Sequence, residues 1–193
     1  MVTDLSALLD AAAIRGPCHL VGSAIGAGIA AAFAARHPSR VTRLVLQSPV
    51  TRSSPQLREK MTARAADVER NGMRPEVDAS LERSYPEILR GDRRRFEQFR
   101  LRWLANDPHS FAAINRMLLD MDLDAELAAI KCPTLVIGCM HDPMRTPAMA
   151  KELASKIPGA HFVEAASGHF MHVQSPDLFA ELVMQFLHGR QIA

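Results

Sequence analysis

The sequence is poor in the features that announce most specialised proteins. It holds three cysteines among 193 residues, Cys18, Cys132 and Cys139. That is an odd number with no metal-ligand spacing, and each lies in or beside an apolar, strand-like run. The pattern argues against a disulfide scaffold and predicts buried free thiols in a reducing compartment, which points to the cytoplasm. No apolar run reaches the ~18 residues that a membrane-crossing helix needs. The amino terminus carries Asp4 and Asp10 without a basic flank, unlike a secretory signal. Charge is close to balance at +2, so neither nucleic acid nor a membrane surface is expected as a partner. The one dense basic run, Arg93-Arg94-Arg95, is expected to be the solvated face of a helix. Repeats and low-complexity segments are lacking too. What remains is a chain long enough for one domain with a sizeable core.

The informative stretch is Leu20-Val21-Gly22-Ser23-Ala24-Ile25-Gly26-Ala27-Gly28. The apolar run Cys18 to Val21 predicts a short buried strand, and the alanine-rich segment Ile25 to Arg36 predicts a helix. A strand, a glycine-flanked turn and a helix with small contact residues make the context of a nucleophile elbow, Gly-x-Ser-x-Gly. Such a turn strains its central residue, and side chains beside it are expected to collide with strand and helix. Here the pattern is Gly22-Ser23-Ala24-Ile25-Gly26, so alanine holds the central position. The turn is present without its nucleophile.

Ahead of it, Leu5, Leu8, Leu9 and Ala12 fall at helical spacing, with Thr3 as the expected cap. Behind it, Val41 to Leu46 is apolar and β-branched, as buried parallel strands are, and two strands joined by a helix make a right-handed βαβ unit. Residues 51–125 then offer no strand, and their apolar residues repeat at helical spacing. Leu57, Met61, Ala65 and Val68 form one face, stopped by Asn71-Gly72. Phe96, Phe99 and Trp103 form a second. Phe111, Ile114, Leu118 and Met121 form a third, opened by Asp107 with Pro108 at the first helical position. The α/β rhythm resumes with strands at Thr134–Cys139 and His161–Glu164, a helix from Thr146-Pro147 and a last helix from Ser175-Pro176. The expectation is one α/β domain with a mostly parallel sheet, its core in 1–50 and 126–193, interrupted by an all-helical cap in 51–125.

Functional residues in such a sheet gather in the loops after strand C-termini. Two loops of that kind stand out, Met140-His141-Asp142-Pro143 and Ala166-Ser167-Gly168-His169. Elbow, acid after a late strand and histidine after the last strand is the chain order of the α/β-hydrolase superfamily, which the whole chain resembles. Asn71-Gly72-Met73, Leu81-Glu82-Arg83-Ser84 and Asp120-Met121-Asp122-Leu123 make the helical segment most similar to that of 3-oxoadipate enol-lactonases and related ester or carbon–carbon hydrolases. The resemblance implies that Asp142 orients and charge-stabilises His169, that His169 is the general base, and that the Ile25 N–H is an oxyanion donor. Ala24 then marks a vacant nucleophile position, with Ser23 as a substitute of lower rank. Trp103, Met140, Arg145 and His172 are the expected substrate contacts, a role that arginine fills by gripping carboxylate in a fork; Arg100 and Arg102 are further candidates.

The resemblance also implies strands ahead of Met1, including the loop that gives a second oxyanion N–H. With four strands the elbow strand falls at a sheet edge, where a preceding segment or a second copy of the chain is expected to cover it. Three readings stay open. One is a hydrolase of small esters, lactones or activated amides that works through His169 and Asp142 without a covalent intermediate, since a methyl group forms no acyl-enzyme. Another is the Ser-to-Ala form of an ordinary serine hydrolase. The third is an inactive hydrolase-fold binding protein. No metal or organic cofactor is implied, and a small-molecule substrate is the expected partner.

Overall fold

The computed structural model describes residues 1–52 and 55–190, and the side chains of all of these except 55–57. In chain order the elements are α1 (Val2–Ala11), β1 (Cys18–Ser23), α2 (Ile25–Arg36), β2 (Val41–Gln47), α3 (Pro55–Asn71), α4 (Arg74–Ser84), α5 (Arg93–Leu104), α6 (Pro108–Leu119), α7 (Asp124–Ala129), β3 (Thr134–Cys139), α8 (Pro147–Ser155), β4 (His161–Ala165), α9 (Met171–Gln174) and α10 (Pro176–Leu187). They divide into two units, residues 1–50 with 123–193, and residues 51–122. None of the described helices is long and apolar enough to cross a membrane.

The first unit is built on a four-stranded sheet of order β1-β2-β3-β4, and every pairing is parallel. Period-two alternation sorts its side chains onto two faces. Leu44, Leu46 and Val136 join Phe33, Ala30 and Ala34 of α2 and Leu153 and Ala154 of α8 in one core. Val45, Leu135 and Ile137 face the other way, onto Met171, Val183 and Phe186. Strand β3 is buried along its whole length, because helices cover both of its faces. The alanines of α2 let that helix lie close on β1 and β2.

Strand β1 departs from the buried strand expected from its composition. Cys18 and Leu20 pack against the α2 core, but His19 is exposed and Val21 is 44% exposed. The face carrying Val21 has no helix laid over it at this edge of the sheet, among the described residues. Two further expectations are corrected. Thr3 caps nothing: α1 begins at Val2, two residues earlier than a Thr3 cap implies, with Met1 at the cap position and no side-chain cap bond. Met121 lies beyond the end of α6, so it does not belong to the helical face that Phe111, Ile114 and Leu118 define.

The second unit is helical. Met61, Ala65 and Val68 of α3 are buried; Leu57, on the same predicted face, has its side chain outside the described residues. Gly72, at φ 75°, ends α3 in the left-handed conformation that favours glycine. Asp107 caps α6, accepting from the Ser110 N–H at 2.7 Å, with Pro108 at the first position. Aromatic edges tie the short segments together, Tyr85 on Phe96 at 5.1 Å and Trp103 on Phe111 at 5.8 Å.

The two elbow glycines are unequal. A Cβ on Gly22 would meet the Gly26 carbonyl oxygen at 2.5 Å and the Ala27 Cα at 2.6 Å, all backbone, whereas a Cβ on Gly26 would meet nothing within 4 Å. The collision expected on both sides of the turn is confined to the strand side. Gly22→Ala should therefore lower stability by about 2–4 kcal/mol, while Gly26→Ala should stay within about 1 kcal/mol of the unaltered chain. Urea midpoints of the two variants check this; equal effects would contradict it.

Candidate active site

All four strands run the same way, so their C-terminal ends form one rim. Ser23 pairs in register with Gln47, Gln47 with Ile137 and Cys139 with Ala165. Ala24 follows β1 directly and turns the chain into α2 with φ 51° and ψ −115°. An alanine held there is strained, at a cost of about 1–3 kcal/mol. Hydrogen bonds on both sides enforce it. The Ala24 N–H donates to the Gln47 carbonyl at 2.9 Å, and the Ala24 carbonyl accepts from Ala27 at 3.1 Å, Val50 at 3.2 Å and Gly28 at 3.4 Å. Ile25 is the first residue of α2, where backbone N–H groups have no carbonyl one turn back to take them. The peptide dipoles of the helix favour negative charge at that end.

The loop after β3 carries Asp142, whose side chain is fully buried. Its Oδ1 accepts from the N–H groups of Met144 and Arg145, both at 3.0 Å. Its Oδ2 lies 2.7 Å from Nδ1 of His169. Burial by itself would push the carboxyl up; the His169 hydrogen bond and charge, the Ser48 hydroxyl and the Arg145 N–H outweigh it and hold the group below the usual range. The loop after β4 carries His169, with its side chain 10% exposed. Two backbone bonds join the loops, Met140 N–H to the Ala165 carbonyl and His141 N–H to the Ser167 carbonyl, both at 2.9 Å. A charged Asp142 makes Nδ1 the protonated nitrogen. Nε2 is left with a bare lone pair and no hydrogen-bond partner among the described residues, which is the form a base requires.

The structure thus brings Ala24, Ile25, Asp142 and His169 to one rim. Ser23 is there too, but its hydroxyl donates to Oε1 of Gln47. Met140 is 55% exposed. Arg145 is half-buried and turns back to donate to the Met144 carbonyl at 2.7 Å. His172 is exposed on α9, its ring 6.1 Å from Phe179. Trp103 belongs to the second unit, as does Arg100, which grips Asp78 with two bonds of 2.7 and 3.0 Å. Among the described residues no three His, Cys, Asp or Glu side chains cluster as metal ligands.

Two rim residues escaped the sequence reading. Gln47 and Ser48 are both 0% exposed, and they bond to each other and to the residues named above. The available signal was a glutamine and a serine directly after the apolar run Leu44-Val45-Leu46, where uncompensated polar groups are costly.

Comparison with known proteins agrees with this architecture. The sequence matches the family described as "Alpha/beta hydrolase family" over residues 2–182. It is 28% identical to the "Putative carbamate hydrolase RutD" of Caulobacter sp. (strain K31), over 98% of this chain and 72% of that protein. The structure is similar to that of a thermophilic esterase from Thermogutta terrifontis with malate bound, at a TM-score of 0.90 and 26% identity, over 97% of this chain and 71% of that one. The enol-lactonase from Burkholderia xenovorans LB400 is similar with a TM-score of 0.88 and 29% identity, over 97% of this chain and 71% of that one. The resemblance to enol-lactonases drawn from the sequence holds in three dimensions.

The depressed carboxyl of Asp142 has a stability signature. Its contribution is complete above the unfolded carboxyl range, about pH 4, and is lost as the pH falls through the lower folded value. Urea midpoints of Asp142→Asn should accordingly fall less steeply than those of the unaltered chain below about pH 4. Parallel curves would show that the carboxylate is not held charged by the fold.

Proposed function

The chain belongs to the α/β-hydrolase family, and on that premise we propose that it hydrolyses small carbonyl compounds by direct attack of water. Esters, lactones and carbamate-like activated amides are the substrate class. The observation that carries the reading is the buried 2.7 Å contact between His169 Nδ1 and Asp142, which leaves Nε2 as a base. On the same rim of strand ends stands an elbow whose tip is a methyl group. Carbamate hydrolase, esterase and enol-lactonase are the names borne by the relatives, and each splits an acyl carbon from oxygen or nitrogen.

Nε2 of His169 takes a proton from water as the oxygen attacks the carbonyl carbon. Asp142 stabilises the imidazolium that forms. The carbonyl oxygen, now negative, accepts from the Ile25 N–H at the start of α2. When the intermediate collapses, the imidazolium returns its proton to the leaving oxygen or nitrogen, so one water is consumed and no bond to the protein is made. Positioned general-base catalysis supplies about 10²–10⁴-fold and one oxyanion donor about 10²–10³-fold. The three free thiols, with that of Cys139 pushed up to about 11 by burial, suit a reducing compartment such as the cytoplasm.

With p-nitrophenyl acetate and a small lactone as probes, His169→Ala should cut turnover by about 10²–10⁴-fold. Mass spectrometry of the unaltered chain during turnover should show no acyl adduct, whereas Ala24→Ser should give an adduct and a burst. Turnover indifferent to His169→Ala would overturn the reading; ligand binding without any turnover would mark a binding protein instead.

A further inference from the structure

We propose that Gln47 is the positioning residue of this site: its buried amide fixes the His169 loop against the elbow turn and holds Ser48 with its hydroxyl proton free. Gln47 ends β2, a strand that otherwise buries Leu44, Val45 and Leu46 here, and it is itself 0% exposed. An amide in such a place destabilises the fold unless its polar atoms are satisfied. They meet the adjacent Ser48 and residues of three other segments. Oε1 accepts the Ser23 hydroxyl. Nε2 lies 2.6 Å from Ser48 Oγ, 3.2 Å from the His169 carbonyl oxygen and 3.4 Å from Cys139 Sγ. Its own carbonyl holds the Ala24 N–H at 2.9 Å.

Proton bookkeeping fixes the direction of every bond. The His169 carbonyl can only accept, so the amide nitrogen must face it and Oε1 must face Ser23. Ser23 has one proton, and it is committed to Gln47. The two amide protons go to the two oxygens, and the sulfur, farthest and weakest as an acceptor, is in contact without one of its own. Ser48 accepts from Gln47 and therefore has its own proton free to pass on. That hydroxyl is among the groups that keep Asp142 charged. Ser48 is held for this by a left-handed backbone, φ 43°, and by its N–H on the Ile137 carbonyl at 2.9 Å. Gln47 donates to Ser48, the Ser48 hydroxyl helps hold Asp142 charged, and Asp142 meets Nδ1 of His169 through Oδ2. One side chain thus sets both the place of the imidazole and the share of negative charge that the imidazole meets.

The groups that bear on this unit are Asp142 on His169, Cys139 on Gln47, His172 near His169 and Arg145 near Asp142. The kinetic part of the inference rests on His169 being the base; the titration part does not. The test uses Ser48→Ala, Gln47→Leu and Gln47→Glu in the full chain. His169 is titrated by NMR of its imidazole, and p-nitrophenyl acetate hydrolysis is followed for kcat and KM.

Removing the Ser48 hydroxyl leaves more of the Asp142 charge for the imidazolium, so the His169 midpoint should rise by about half a unit or more. Gln47→Leu should lower kcat by about 10²-fold with KM little changed, as expected for a misplaced base. Gln47→Glu keeps an acceptor for Ser23 and, when protonated, one donor for the His169 carbonyl, and should recover part of that loss. A His169 midpoint unmoved in Ser48→Ala would overturn the proposal, even if Gln47→Leu failed to fold. A shifted midpoint alongside turnover indifferent to His169→Ala would uphold the positioning role and remove the catalytic reading.

Discussion

Helix α2 crosses the end of β1 so closely that no Cβ can stand at Gly22, where it would meet the backbone of Gly26 and Ala27 at 2.5 to 2.7 Å. That approach is the constraint from which the site follows. A chain that must leave a strand and enter a helix within one residue has no relaxed conformation for that residue, and Ala24 takes φ 51° as a result. The same compression puts the first N–H groups of α2 at the rim of the sheet. Slim alanines along the helix keep it there, since Ala27, Ala30, Ala31 and Ala34 are all buried against the strands. Bulkier residues would lift the helix and undo the turn.

The rim is polar because parallel strands all end there, and the fold answers the cost of burying polar groups by linking them. Asp142 is fully buried yet charged, a state that costs several kcal/mol unless donors surround the carboxylate. Two backbone N–H groups, a hydroxyl and an imidazole provide them. They come from three places: the loop's own turn, the end of β2 and the loop after β4. Loss of any one leaves the others holding an under-satisfied charge, so the rim behaves as a unit more than as a set of pairs.

Much of this was legible before any coordinates. The runs Val41 to Leu46 and Thr134 to Cys139 read as strands, the second buried throughout and the first with Thr42 exposed, and Asp107-Pro108 and Asn71-Gly72 marked helix ends through chemistry local to them. The order of elbow, acid and histidine carried Asp142 and His169. What stayed hidden depends on residues that meet only in space. Gln47 finds Ser23, Cys139 and His169, which are 24, 92 and 122 positions away, and no spacing rule reaches that far. The fate of the Ser23 proton was invisible for the same reason. Composition also misled at β1, because a run such as Cys18-His19-Leu20-Val21 looks equally apolar at the middle of a sheet and at its edge. The freedom at Gly26 is another spatial fact: the motif gives both glycines equal weight, and only the packing of α2 on β1 separates them.

The strain at Ala24 does not by itself speak for a lost hydroxyl. Relaxing φ to the right-handed region would move a carbonyl that accepts from Ala27, Gly28 and Val50 and an N–H bound to Gln47. Those bonds, each worth about 0.5–1.5 kcal/mol net, together outweigh a strain of about 1–3 kcal/mol, so the turn persists whatever side chain it bears. The case for chemistry has to come from elsewhere, and it comes from the imidazole. In the proposed reaction the proton goes to a histidine with a carboxylate on Nδ1 and, among the described residues, no partner on Nε2. The neighbouring helix start is poised to receive the charge that such a transfer creates on a carbonyl oxygen. Neither feature depends on a hydroxyl at the tip of the turn, and the proposed attack by water rests on that independence.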